Sequence, residues 1–117
     1  MPEDARIIIT LQKKYTEDDV LTFYPTNEGF DVEFVQRTIG NKVSNYMVQE
    51  EVTGYLSRFL RTLTLDDGGC DFVQIDCPGY PTVMLKIANV ERYIPILVEQ
   101  IEAQMNNWPM ESKTCRY

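Results

Sequence analysis

The chain has 117 residues, 44% apolar and 25% charged, a length and balance that suit one domain with a real hydrophobic core and exclude intrinsic disorder. Its formal net charge of -7 repels phosphate backbones and anionic headgroups, which argues against a nucleic-acid binder and against a membrane-surface protein. The same charge suits plain solubility or a basic partner.

Three cysteines, Cys70, Cys77 and Cys115, are an odd and widely spaced set that does not read as a disulfide framework. No charged-then-apolar leader opens the sequence. No apolar run approaches the ~20 residues that span a bilayer. Together these features predict a reducing intracellular compartment, with the cytoplasm as the expected location.

In chain order, Arg6 to Lys13 is rich in β-branched residues and predicts a strand. Tyr15 to Asp19 reads as a polar turn, and Val20 to Tyr24 as a second strand. Thr16-x-x-Asp19 also matches a helix capping box, but Pro25 leaves room for only a very short helix. Pro25 to Gly29 is a turn cluster. Phe30 to Arg37 alternates apolar and polar residues, the pattern of a half-buried strand. Ile39 to Val43, with Gly40 and Asn41, reads as a connection. Ser44 then caps a predicted helix reaching about Leu63. At ~100° per residue, Val48, Val52, Tyr55, Leu56, Phe59, Leu60 and Leu63 share an arc about 140° wide, opposite Glu50, Glu51, Arg58 and Arg61.

Asp66 to Gly69 ends that segment. Asp71 to Asp76 and Thr82 to Ala88 read as paired strands, joined through Cys77-Pro78-Gly79-Tyr80 with the signature of a type II turn. Asn89 caps a second helix predicted to reach about Trp108. Its apolar stripe is Val90, Tyr93, Ile94, Leu97, Val98, Ile101, Met105 and Trp108. Pro95 predicts a kink or a late start, and Pro109 a stop. The expected organisation is a single α+β domain over 1–109 with a flexible tail at 110–117. Five strands in the order βββαββα would form an antiparallel sheet with two amphipathic helices on one face. The side chains facing them would be Ile7, Ile9, Leu11, Phe30, Val32, Phe34, Val73, Ile75, Val83, Leu85 and Ile87.

Chemistry is sparse. The chain has no histidine, which removes the usual general base, the common nucleophile pairs and the commonest metal ligand. Cys70 and Cys77 lack the spacing of a zinc knuckle. Gly68-Gly69 precedes a strand rather than a helix, so it lacks the context of a phosphate site. Asp66, Asp67 and Asp71 lack the ligand pattern of a calcium loop. Glu17, Asp18 and Asp19 fall in a surface turn and Glu50 and Glu51 on a solvated helix face, where nothing tunes a carboxylate. Asp76 beside Cys77 raises a thiol pKa and so opposes activation. The sequence therefore predicts no catalytic residues, no metal site and no cofactor.

Binding features are better represented. The sheet face opposite the helices would carry Ile8, Tyr24, Val35, Phe72 and Met84 among polar neighbours. Tyr80 would stand at a hairpin tip between Gly79 and Pro81. A face left uncovered by helices is open to water or to a partner, and a proline-held loop aromatic is inexpensive to order on binding. These six residues are the candidate partner-binding set. The function they suggest is a non-enzymatic interaction module: an adaptor, an assembly subunit or a small acidic chaperone, with a protein partner or a second copy as occupant. At fold level the acidic charge and strand–helix alternation resemble the secretion chaperones, though the leading helix of that class has no counterpart. The alternative is a small enzyme or ligand-binding domain working through carboxylates. A pocket lined by converging polar groups would favour that alternative. A flat apolar face or an available strand edge would favour the interaction module.

Overall fold

The structure, a computed structural model, describes residues 6–26, 28–64, 70–77 and 81–103 with their side chains, and the helical backbone at 65 and 104–115. Its elements are β1 (Ile7–Lys13), β2 (Asp19–Pro25), β3 (Gly29–Gln36), β4 (Asn41–Val48), α1 (Gln49–Leu65), β5 (Cys70–Asp76), β6 (Val83–Lys86) and α2 (Ile87–Cys115). The strands form one antiparallel sheet in the order β4-β3-β2-β1-β5-β6.

The α+β class and the one-sided packing follow from period-two alternation. Ile7, Ile9 and Leu11 of β1, Leu21 and Phe23 of β2, Phe30 and Val32 of β3, and Val73 and Ile75 of β5 are buried on one face. Val52, Leu56 and Leu60 of α1 close over them, with Val90, Ile94, Leu97, Val98 and Ile101 of α2. Phe34, Val83, Leu85 and Ile87 pack at the margin of this core. No helix among the described residues is long and apolar enough to cross a membrane.

The sheet has six strands, not five, and the order is ββββαββα. The added strand is β4, which occupies Asn41 to Val48, read in the sequence as a connection and the opening of a helix. A four-residue turn at 37–40 reverses the chain: Gly40 N–H donates to the Arg37 carbonyl at 3.2 Å. Gly40 has φ of 67°, the left-handed conformation that closes this hairpin without a Cβ clash. The first helix thus begins at Gln49 rather than Ser44. Its start is fixed by Glu51, whose Oε1 accepts from Val48 N–H at 3.2 Å, one half of a capping box. Val48 belongs to the exposed strand and not to the buried helical stripe.

Three smaller corrections follow. The second helix starts at Ile87, so Ile87 and Ala88 are helical rather than the end of a strand. Its Tyr93 is exposed. It also extends past Pro109 to Cys115, because an interior proline removes a single backbone hydrogen bond and can kink a helix without ending it. The turns at Asp66 to Gly69 and Pro78 to Tyr80 lie outside the described residues.

Candidate functional site

The helix-free sheet face holds five of the six residues singled out from the sequence. Their register follows from the pairings Ile8↔Thr22, Val20↔Val35, Tyr24↔Asp31, Phe72↔Lys86 and Gln74↔Met84. Ile8, Tyr24, Val35 and Phe72 are half-buried, while Met84 is 50% exposed. Tyr80 lies outside the described residues.

Polar chains divide this face. On one side Lys42 Nζ meets Glu33 Oε2 at 2.7 Å, Tyr24 Oη donates to Glu33 Oε1 at 3.2 Å, and Arg6 sits 5.7 Å over the Tyr24 ring. The hydrogen bond from Lys42 holds the Glu33 carboxyl below its usual range, and the Tyr24 hydroxyl assists against the opposing effect of burial. On the other side Gln12 donates to Gln74 at 2.9 Å and Gln74 to Asp76 at 2.9 Å, with Thr82 donating to the second Asp76 oxygen. Phe72 and Met84 are therefore separated from Ile8, Val20 and Val35 by Gln12 and Gln74, and the face is mixed rather than one apolar patch.

The β4 edge is a different surface. Strand order leaves its outer side without a partner strand among the described residues. Val43 is 50% exposed and Tyr46 49%, and Val48 is exposed as well. Val43 pairs with Phe34 and lies on the helix side of the sheet, whereas Tyr46 pairs with Asp31 and lies on the open side. Both faces of the edge thus present large apolar groups. Lys42 is the strand's one charged residue, and it is tied to Glu33 of the neighbouring strand. The opposite edge, β6, is only 4 residues long.

A cleft of about 470 Å³ opens where the ends of β1, β2 and β3 meet the second half of α1. It is lined by apolar Leu11, Phe34, Tyr55, Phe59 and Leu63, and by polar Lys13, Asp19, Gln36, Arg58, Thr62 and Cys70. The two-residue alternation that buries Leu21 and Phe23 also turns Asp19 inward, where it is 3% exposed. This corrects the sequence reading that placed Asp19 in a surface turn. Lys13 Nζ meets Asp19 Oδ2 at 2.8 Å. A register shift between Gln12 and Lys13 sets Lys13 opposite Cys70, the kind of bulge that re-aims a strand end. Asp19 Oδ1 is sealed from water and has no hydrogen-bond partner among the described residues.

The two described thiols are poor nucleophiles. Burial pushes Cys77 up to about 11, with Asp76 adding to the shift. Burial also raises Cys70, reinforced by Asp71 and Asp19 and opposed by Lys13. No group of three or more potential metal ligands occurs among the described residues. Compared with protein families, with curated proteins and with solved structures, the chain matches none.

Proposed function

We propose that this chain is a non-enzymatic protein–protein interaction module that engages its partner by strand addition along β4, with a second copy of itself as the occupant. The β4 edge carries this reading. It is 8 residues long, its outer backbone groups pair with no strand among the described residues, and it presents exposed apolar side chains on both faces, Val43 on one and Tyr46 and Val48 on the other. Unpaired edges of this kind template an added strand unless they are short, covered or guarded by free charge. The charge of Lys42 is spent on Glu33, so it guards the edge weakly.

A second copy suits this edge because the chain's excess acidity lies elsewhere. No acidic residue falls within β4, so two such strands can meet antiparallel without like charges facing each other. A two-fold axis through the pair closes the assembly, the commonest arrangement of self-complementary surfaces. The absence of histidine and the raised pKa of the two described thiols support a role without covalent chemistry.

The test is sedimentation mass across a wide concentration range for the native chain and for Val43→Lys/Tyr46→Lys. The native chain should dimerise, and the variant should remain a folded monomer. A native chain that stays monomeric at every concentration refutes self-pairing.

A further inference from the structure

We infer that the two copies meet with their two-fold axis at Ser44, so that Ser44 faces the second copy's Ser44 and Lys42 faces the second copy's Tyr46. This register rests on the edge pairing proposed above and adds to it which residues meet.

The backbone directions of β4 come first. In an antiparallel ladder the N–H and C=O of one residue point to the same side, and that side alternates along the strand. The Gly29 carbonyl accepts from Thr26 N–H at 2.9 Å, so the backbone groups of Gly29 point away from β4. Val48, which lies opposite Gly29, therefore turns its own groups outward. Its N–H agrees, donating to Glu51 Oε1 at 3.2 Å. Alternation then turns Tyr46, Ser44 and Lys42 outward too, where no strand pairs with them among the described residues. Asn41, Val43, Asn45 and Met47 turn toward β3.

Only outward residues can exchange hydrogen bonds with a second copy. Glu51 already holds the Val48 donor, which leaves Lys42, Ser44 and Tyr46 with both groups to offer. An axis at Ser44 sets Ser44 against itself and Lys42 against Tyr46 at either end, and so uses all of them. An axis at Val43 would send Tyr46 to Gly40, which sits in the turn with φ of 67°. An axis at Asn45 would send Lys42 to Val48, whose donor is taken. An axis farther along would run Lys42 into the first turn of α1, which begins at Gln49.

The side chains suit the same register. Lys42 and Tyr46 share the open face, where Tyr46 is 49% exposed. The lysine stem can cover the second copy's tyrosine ring while the ammonium stays on Glu33 at 2.7 Å. The two lysines then lie about 14 Å apart along the paired strands, beyond the screening length of about 10 Å at 0.1 M salt. On the helix side, the exposed Val43 lies beside the second copy's Asn45.

The experiment charges the axis in the full chain. Ser44 is exposed, so the fold should tolerate the change, and circular dichroism checks it. Ser44→Asp alone and Ser44→Lys alone each set like charges opposite each other. Each should raise the dimer dissociation constant at least about tenfold in sedimentation. An equimolar mixture of the two should form the heterodimer in preference to either homodimer, read by native mass spectrometry. Asn45→Asp mixed with Asn45→Lys should give only the statistical mixture, because position 45 faces Val43 and not itself. A native dimer with no heterodimer preference at position 44, or with a larger preference at position 45, would overturn the register while leaving the association itself intact. A native chain that stays monomeric would remove the pairing and the register together.

Discussion

Lys13 and Asp19 form an ion pair of unequal depth: the carboxylate is almost wholly buried, and the ammonium, 2.8 Å away, reaches the rim of the cleft. The carboxylate is held by one cation and lacks a donor on its other oxygen among the described residues. Removing the cation alone strands a buried charge, a change that costs about 3–5 kcal/mol in other buried pairs. Lys13→Met should approach the lower end of that range, because Lys13 keeps some contact with water. Adding Asp19→Leu should restore most of the loss. Urea unfolding of both single variants and the double variant gives the coupling directly.

Leu60 is fully buried between α1 and the sheet. Leu60→Ala should lower stability by about 2–5 kcal/mol. Arg61, the next residue, is exposed, and Arg61→Ala should change stability by less than about 0.5 kcal/mol. Thermal or urea midpoints that fail to separate the two would contradict the assigned helix face.

These two sites show how much the sequence disclosed. Leu60 was legible because Val52, Leu56 and Leu60 recur at helical spacing over charged neighbours. Ile7, Ile9 and Leu11 were legible because they alternate with more polar residues. β4 was not, because seven of its eight residues are exposed, with Met47 the one buried residue. An edge strand wet on both faces has no reason to alternate, so the period-two signal is missing. Asp19 escaped for a different reason. It ends an acidic run that reads as solvated turn, yet it keeps step with Leu21 and Phe23. Extending the second strand by one residue and following that parity would have placed it inside. The division of the open face by Gln12 and Gln74 depends on which strands are neighbours, which periodicity does not report.

Gly29 permits the close approach of β4. A Cβ built there would lie 2.5 Å from the Met47 carbonyl oxygen and 2.7 Å from Tyr46 Oη. The tyrosine could swing away, but the carbonyl belongs to the paired strand backbone and cannot yield without loosening the ladder. Gly29→Ala should therefore cost about 1–3 kcal/mol. It should also speed hydrogen exchange of the β4 amides while leaving those of β1 and β5 protected. Uniform loss of protection would show that β4 is not the element affected.

Cys77 supplies a pH prediction. Its folded pKa of about 11 lies above that of an ordinary thiol. Between those values the unfolded chain releases a proton that the folded chain retains, so stability falls as pH rises. The contribution is complete below the ordinary thiol pKa and is lost as pH climbs through about 11. Cys77→Ala should flatten this part of the stability–pH curve while lowering its plateau. At pH 8, thiol labelling of Cys77 in the native chain should be slow and should accelerate in urea. Rapid native-state labelling would contradict the burial of this side chain.

Phe72 distinguishes the open sheet face from the β4 edge as the surface of association. It lies half-buried with Gln12 and Lys86 as its cross-strand partners. A carboxylate at this position would face a lysine and remain near water, so Phe72→Asp should leave the chain folded at modest cost. If β4 is the edge that pairs, Phe72→Asp should leave the sedimentation mass of the dimer unchanged, since β5 is separated from β4 by β1, β2 and β3. Val43→Lys/Tyr46→Lys should abolish the dimer under the same conditions. If instead the open face is the contact, an unpaired charge enters a dry interface and the ranking inverts: Phe72→Asp dissociates the assembly while the edge variant does not. Circular dichroism of both variants confirms that the readout concerns association. A dimer that survives both substitutions would exclude both surfaces.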